Sequence, residues 1–122
     1  MLRRGENAVS IRQSNPPFMS GVPELLILRL LARHEMYGYE LVKAVRIVTG
    51  ETIKLGEGVI YPVLHALERS GALQARRKAV NGRTRVYYSV TSAGEDRLAA
   101  LKSEWDRIRS GIEAVLEAPQ HA

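Results

Sequence analysis

Between residues 76 and 85 the chain carries Arg76, Arg77, Lys78, Arg83 and Arg85, five cations around an Asn81-Gly82 turn, with Thr84 among them and no acid interleaved. Side chains of this kind at this density bind anions, and the planar fork of a guanidinium fits phosphate oxygens in pairs. Most charge runs are simply solvated faces. Here the missing carboxylates favour a phosphate partner, because the charges are expected to stand uncompensated until an anion arrives. Just upstream, a segment opening Gly58-Val59-Ile60-Tyr61-Pro62 offers Tyr61, Pro62 and His65 beside the basic run. A basic hairpin joined to a small helix is an arrangement suited to gripping a nucleic-acid duplex.

Other chemistries find few residues to work with. The chain has no cysteine, which excludes thiolate zinc, thiol redox chemistry and a disulfide scaffold. His34, His65 and His121 are scattered, with no carboxylate at ligand spacing beside them, so neither a metal site nor a cofactor is expected. There is no Gly-rich phosphate loop, nucleophile elbow or paired carboxylate in a cleft-forming pattern, so no catalytic residue and no enzyme is expected. Glu113 and Glu117 share one helix face and read as solvated.

The net charge of +5 biases the molecule toward polyanions, and the bias is local: residues 92–117 carry six acids against four bases. The longest apolar run, Leu25 to Leu28, is broken at Arg29, far short of the roughly 20 residues of a membrane span. Arg3 and Arg4 are followed by no apolar core, so no secretory signal is expected, and the expected location is the cytoplasm.

At 122 residues, 45% of them hydrophobic, one domain with a modest core is expected. Residues 1–19 have no period and read as a flexible or extended N-terminal arm. Its Arg3, Arg4 and Arg12 are within the repertoire of phosphate contacts, although a solvated tail is the commoner role. A first helix is expected from Ser20 or Gly21, with Pro23 and Glu24 in its first turn and an almost wholly apolar body from Leu25 to Ala32. A turn at His34 to Tyr37 leads to a second helix opening at Gly38, with a stripe of Leu41, Val45 and Val48 and an end at Thr49-Gly50. Glu51 to Glu57 reads as a connector, with Ile53-Lys54-Leu55 as a short extended piece.

A third helix is expected with Gly58 as N-cap, which makes Pro62 its fourth residue, among first-turn donors that lack partners in any case. It buries Ile60, Val63, Leu64 and Leu67, shows Tyr61, His65, Glu68 and Arg69, and stops at Gly71. The Asn81-Gly82 pair predicts a type I′ hairpin. Pairing outward from it sets Val80 against Arg83, Arg77 against Val86, Ala75 against Tyr88 and Leu73 against Val90. Residues 92–117 form a last helix whose Leu98, Leu101, Trp105, Ile108, Ile112 and Val115 make a heptad seam that calls for a second helix. The fold class is therefore mainly α with a small β hairpin: a winged helix-turn-helix over residues 20–91, a C-terminal helix, and a tail at 118–122.

These residues carry a closer resemblance. Over residues 21–117 the chain resembles the PadR family of winged-helix transcription regulators. The matching stretches are Leu25 to Leu31, Tyr37-Gly38-Tyr39-Glu40-Leu41, Gly58 to Leu64, Leu67-Glu68-Arg69-Ser70-Gly71-Ala72-Leu73, Gly82 to Tyr88 and Thr91-Ser92-Ala93-Gly94. Each piece alone is weak; six in order are specific. The family often shows a small polar residue and a slim one where this chain has Val59 and Ile60, which weakens the case for base contacts from that turn.

The resemblance implies a homodimer held by the C-terminal helix, with Leu98, Leu101, Trp105, Ile108, Ile112 and Val115 at the interface. It also implies contact with double-stranded DNA through Tyr39, Tyr61, Pro62 and His65 and through Arg83 and Arg85 of the wing; Arg76, Arg77, Lys78 and Thr84 join the set from the hairpin itself. The Tyr37, Tyr39, Tyr87 and Tyr88 rings have an alternative use, wedging the wing against the second helix. The family commonly represses genes and releases DNA when a small molecule binds, and Trp105 marks a place where an aromatic effector would stack. The plain role for Trp105 is interface packing. The rival reading of the whole chain is a protein-interaction module that has lost DNA binding.

Overall fold

The computed structural model describes residues 17–120, and the first sixteen residues of the expected arm lie outside that range together with residues 121–122. The elements in chain order are α1 (Pro17–Arg33), β1 (Met36–Tyr37), α2 (Gly38–Val48), α3 (Glu57–Arg69), β2 (Leu73–Val80), β3 (Arg83–Val90) and α4 (Ser92–Glu117). The three strands form one antiparallel sheet in the order β1-β3-β2.

α1 is the central post. Its Ile27, Leu28 and Leu31 are buried, as are Leu41 and Val45 of α2, Ile60, Leu64 and Leu67 of α3, and Leu73 and Tyr88 of the hairpin. An apolar helix with no polar stripe needs neighbours on most sides, and α2, α3, α4 and β3 supply them. The helix starts at Pro17, three residues before the expected Ser20, so residues 17–19 are helical rather than part of the arm and Pro23 lies in the second turn.

α2 buries Gly38, Leu41 and Val45, but Val48 is 71% exposed, against expectation. The stripe continues in sequence while the last turn runs past the edge of the layer it packs on. Thr49 then ties the chain down: its Oγ1 donates to the Val45 carbonyl at 2.7 Å and accepts from the Ile53 N–H at 3.0 Å. Residues 53–55 form no strand, although Ile53 and Leu55 lean on the core.

α3 is capped by Gly56, two residues before the expected Gly58, with Glu57 in its first turn. The Gly56 carbonyl accepts from the N–H groups of Val59 and Ile60, both at 3.0 Å. Pro62 is therefore the sixth helical residue, and the helix forgoes the bond that residue 62 would make to the Gly58 carbonyl. Ile60, Leu64 and Leu67, buried on the opposite face, keep the helix packed on the core across that gap. Its end is a Schellman turn: the Ala72 N–H donates to the Leu67 carbonyl at 2.9 Å, the Gly71 N–H to Glu68 at 3.0 Å, and Gly71 takes φ +86°.

The hairpin has the expected register at all four pairs, with Asn81 and Gly82 at φ +52° and +78°. Leu73, Ala75, Val86, Tyr88 and Val90 share its inner face and pack on the core. β1, expected only as part of a turn, adds a third strand by pairing Met36 with Tyr88 and Tyr37 with Tyr87. Two residues carry no readable period, so nothing local announces that strand.

Thr91 caps α4 through Oγ1, which accepts from the Gly94 N–H at 3.1 Å and donates to the Gly71 carbonyl at 2.6 Å. Gly94 is buried against the Ala72 carbonyl and Val90, and a methyl group there would overlap backbone. The seam on α4 divides. Leu98 and Leu101 pack on the core of their own subunit, with Leu101 beside Gly21 of α1. Trp105 and Ile108 are half-buried, and Ile112, Val115 and Leu116 are exposed at 44%, 75% and 77%. The first half of the seam thus has its partner helix within the chain, where a second subunit was expected along the whole length. Among the described residues no helix is long and apolar enough to cross a membrane.

Candidate nucleic-acid interface

The junction Tyr37-Gly38 organises the site. Tyr37 ends β1 and caps α2 at once, its N–H donating to Glu40 Oε1 at 3.1 Å. Gly38 follows, buried, under the ring of Tyr61 from α3; a Cβ there would fall 2.5–2.6 Å from the ring carbons and hydroxyl of Tyr61. The Tyr61 ring is therefore half-buried on a glycine floor and leans on the core, more enclosed than its expected outward face implied. His65 is exposed one turn on, its ring centroid 6.3 Å from that of Tyr61, and Pro62 is exposed beside them.

A cleft of about 300 Å³ joins this helix to the wing, lined by Tyr37, Gly38, Tyr61, His65, Thr84, Arg85, Val86 and Tyr88. Tyr61, His65, Thr84 and Arg85, distant in sequence, thus meet on one surface. Burial, and then the charges of Glu68 and Tyr61, push the Tyr88 hydroxyl above its ordinary pKa. Ile60 is fully buried and only Val59 of the departing pair faces solvent, so the bulk at position 60 serves the core.

The outer face of the sheet holds a ladder of rings and cations. Tyr37 and Tyr87 meet edge to face at 5.3 Å, Arg85 lies 4.4 Å over the Tyr37 ring, and Lys78 lies 4.3 Å over Tyr87. These two tyrosines do act as a wedge between wing and second helix, and Tyr87 is only 9% exposed on a face that otherwise looks outward. Tyr39 stands apart, exposed, with Lys43 5.3 Å over its ring. It borders a second cleft, of about 580 Å³, with His34, Glu35, Lys43, Ile47, Lys78 and Tyr87 on its walls.

The expectation of an uncompensated basic run is corrected here. Glu35, from the corner before β1, pairs with Arg76 at 2.7 Å and with Lys78 at 2.8 Å. Hydrogen bonds from Lys78 and then Arg76 hold its carboxyl below the ordinary range. Among the described residues no ion pair joins Arg77, Arg83 or Arg85 to an acid. Glu35 lies 41 residues before Arg76, and only the pairing of β1 with β3 brings it there, so a search for acids within the run could not find it.

A helix-turn-helix whose third helix and β-wing share a cleft defines the winged-helix class. The model of the transcriptional regulator PadR-like family matches residues 27–100. A transcriptional regulator of Mycobacterium tuberculosis is 33% identical over 104 residues, covering 85% of this chain and 92% of the relative. Among solved structures, a PadR family transcription regulator from Clostridium difficile superposes with a TM-score of 0.69 at 31% identity, covering 79% of this chain and 99% of that one. A PadR-like regulator from Bacillus cereus gives 0.71 at 28% identity, over 85% and 100%. The chain belongs to the PadR-like family of transcriptional regulators; it is a DNA-binding regulator and not an enzyme.

The glycine floor makes a direct prediction. Gly38→Ala should lift the Tyr61 ring, cost about 1–2 kcal/mol in chemical denaturation and weaken duplex binding about tenfold in a shift assay, as loss of one aromatic contact of about 1.4 kcal/mol implies. In a Tyr61→Ala background the same change should be close to neutral for stability. A cost that persists there would place the clash elsewhere.

Proposed function

We propose that the protein is a repressor that binds a partly palindromic operator as a homodimer in the cytoplasm, with α3 in the major groove and the wing along the adjacent backbone. The observation that carries this reading is the shared cleft, which sets Tyr61 and His65 of the helix beside Thr84 and Arg85 of the wing. A helix presenting polar and aromatic groups to a groove needs a neighbouring cation to fix its register, and phosphate contacts supply that register. Arg77, Arg83 and Arg85 are the wing cations outside any ion pair with a described acid.

The exposed end of α4 supports the dimer. Ile112, Val115 and Leu116 are apolar side chains on a helix that has already left its own core, and a symmetric partner helix would cover them. Two copies of α3 then read half-sites about one duplex turn apart, roughly 34–36 Å. Trp105 lies where the intramolecular part of the seam gives way to the exposed part, and an aromatic effector stacked there would bias the spacing of the two reading helices.

Duplex binding should be salt-sensitive and stronger for the DNA upstream of the coding sequence than for a random duplex. Arg83→Gln with Arg85→Gln should flatten the slope of log affinity against log salt by about 1.8, two phosphate contacts' worth; an unchanged slope removes the wing from the backbone, and no binding to either duplex returns the chain to the class of interaction modules. In sedimentation, Ile112→Glu with Val115→Glu should convert two-subunit particles to single subunits and weaken operator binding. A planar aromatic effector should quench the lone tryptophan, and fluorescence unmoved across a broad panel of such compounds would dismiss the stacking role.

A further inference from the structure

Glu35 reaches from the corner between α1 and β1 across β3 to two cations on the outer face of β2, Arg76 at mid-strand and Lys78 nearer the turn. Arg76 Nη2 donates to both of its oxygens, at 2.8 and 2.7 Å, and Lys78 Nζ donates to Oε2 at 2.8 Å. One carboxylate against two cations leaves the triad with a single net positive charge. The group remains open to solvent, since the Arg76 side chain is 62% exposed. Both of its bonds to Glu35 use Nη2, which leaves the donors on Nε and Nη1 outside the pair. Lys78 is steadied from its other side by the Tyr87 ring. A phosphate arriving at this face of the wing therefore finds donors outside the pair and a carboxylate already occupying part of their charge.

We propose that Glu35 is a built-in competitor for DNA phosphate, limiting the Arg76–Lys78 pair on the outer face of the wing to one effective cation and so capping the sequence-independent part of the grip. The inference rests on the reading that the wing lies along the DNA backbone. Phosphate contacts carry no sequence information, so a fixed carboxylate among them lowers affinity for every duplex by the same factor. The ratio of operator to non-operator affinity is left unchanged, while the time spent on any one duplex is shortened. Arg77, Arg83 and Arg85 have no ion pair with a described acid, and Arg85, the cross-strand partner of Lys78, is turned onto the Tyr37 ring instead.

The test is the salt dependence of duplex binding in the full chain. Glu35→Gln keeps the shape and an accepting oxygen but removes the charge. It should tighten binding at low salt equally on a random duplex and on the upstream DNA, and steepen the log-log slope by about 0.9. Between 50 and 200 mM salt that is about 3.5-fold more affinity lost than by the unaltered protein. The triple variant Glu35→Gln, Arg76→Gln, Lys78→Gln removes one net charge and should flatten the slope by about 0.9 relative to the unaltered chain. If Glu35→Gln alone does not fold, the triple variant decides: flattening by about 1.8 would mean that both cations already hold phosphates despite Glu35, and no change would mean that the Arg76–Lys78 pair never reaches DNA, either result overturning the proposal. Weaker or unchanged binding by a folded Glu35→Gln overturns it as well. An unaltered protein that shows no salt-sensitive duplex binding would instead refute the wing reading beneath it.

Discussion

The reading surface depends on one steric constraint: residue 38 must have no side chain. Tyr61 can lie across the start of α2 only because Gly38 leaves the space empty, and Tyr37, one residue earlier, commits the same stretch of backbone to a sheet and a helix cap together. Three elements are fixed relative to one another by two residues. The consequence is a stiff angle between α3 and the wing, since the same Tyr37 ring meets Tyr87 on one strand and lies beneath Arg85. Aromatic and cation–π contacts of this kind each contribute about 0.5–1.5 kcal/mol. Their value here lies in geometry, because each joins the α2 junction to the wing.

A second theme is the division of labour among the basic residues. Five cations close in sequence differ in their partners: Arg76 and Lys78 are engaged by Glu35, while Arg77, Arg83 and Arg85 form no ion pair with a described acid and Arg85 lies over the Tyr37 ring. Exposed ion pairs contribute little to stability, of the order of 0–1 kcal/mol, so the Glu35 cluster is better understood through the charge it presents to an approaching partner than through the fold it holds.

Much of the fold was legible from residue chemistry. The Asn81-Gly82 pair set the hairpin register at every residue, and the periodic apolar positions of α3 marked its buried face. Helix starts were less readable because more than one residue qualifies as a cap: Gly56 and Gly58 both lack a side chain, and Glu57 in the first turn decides for the earlier one. Two features share a cause. Val48 fits its stripe and is nevertheless exposed, and the first half of the α4 seam, expected to face a second helix, packs on the core of this chain. Periodicity reports which residues want cover but not what provides it. For the site, Tyr61, His65, Thr84 and Arg85 were readable as a set, whereas Glu35 was hidden because its role arises from a two-residue strand pairing across the fold.

The last helix has its own electrostatic character. Its acids are largely held by bases on neighbouring turns, as in Lys102 with Asp106, Glu104 with Arg107, and Arg109 with Glu113, yet residues 92–117 keep an excess of acids while the chain as a whole is positive. Charge is thus separated along the molecule, and in the field of a polyanion this separation acts as a torque. A chain so charged would turn its hairpin toward the polyanion and its last helix away before contact, and a larger share of diffusional encounters would begin in that orientation.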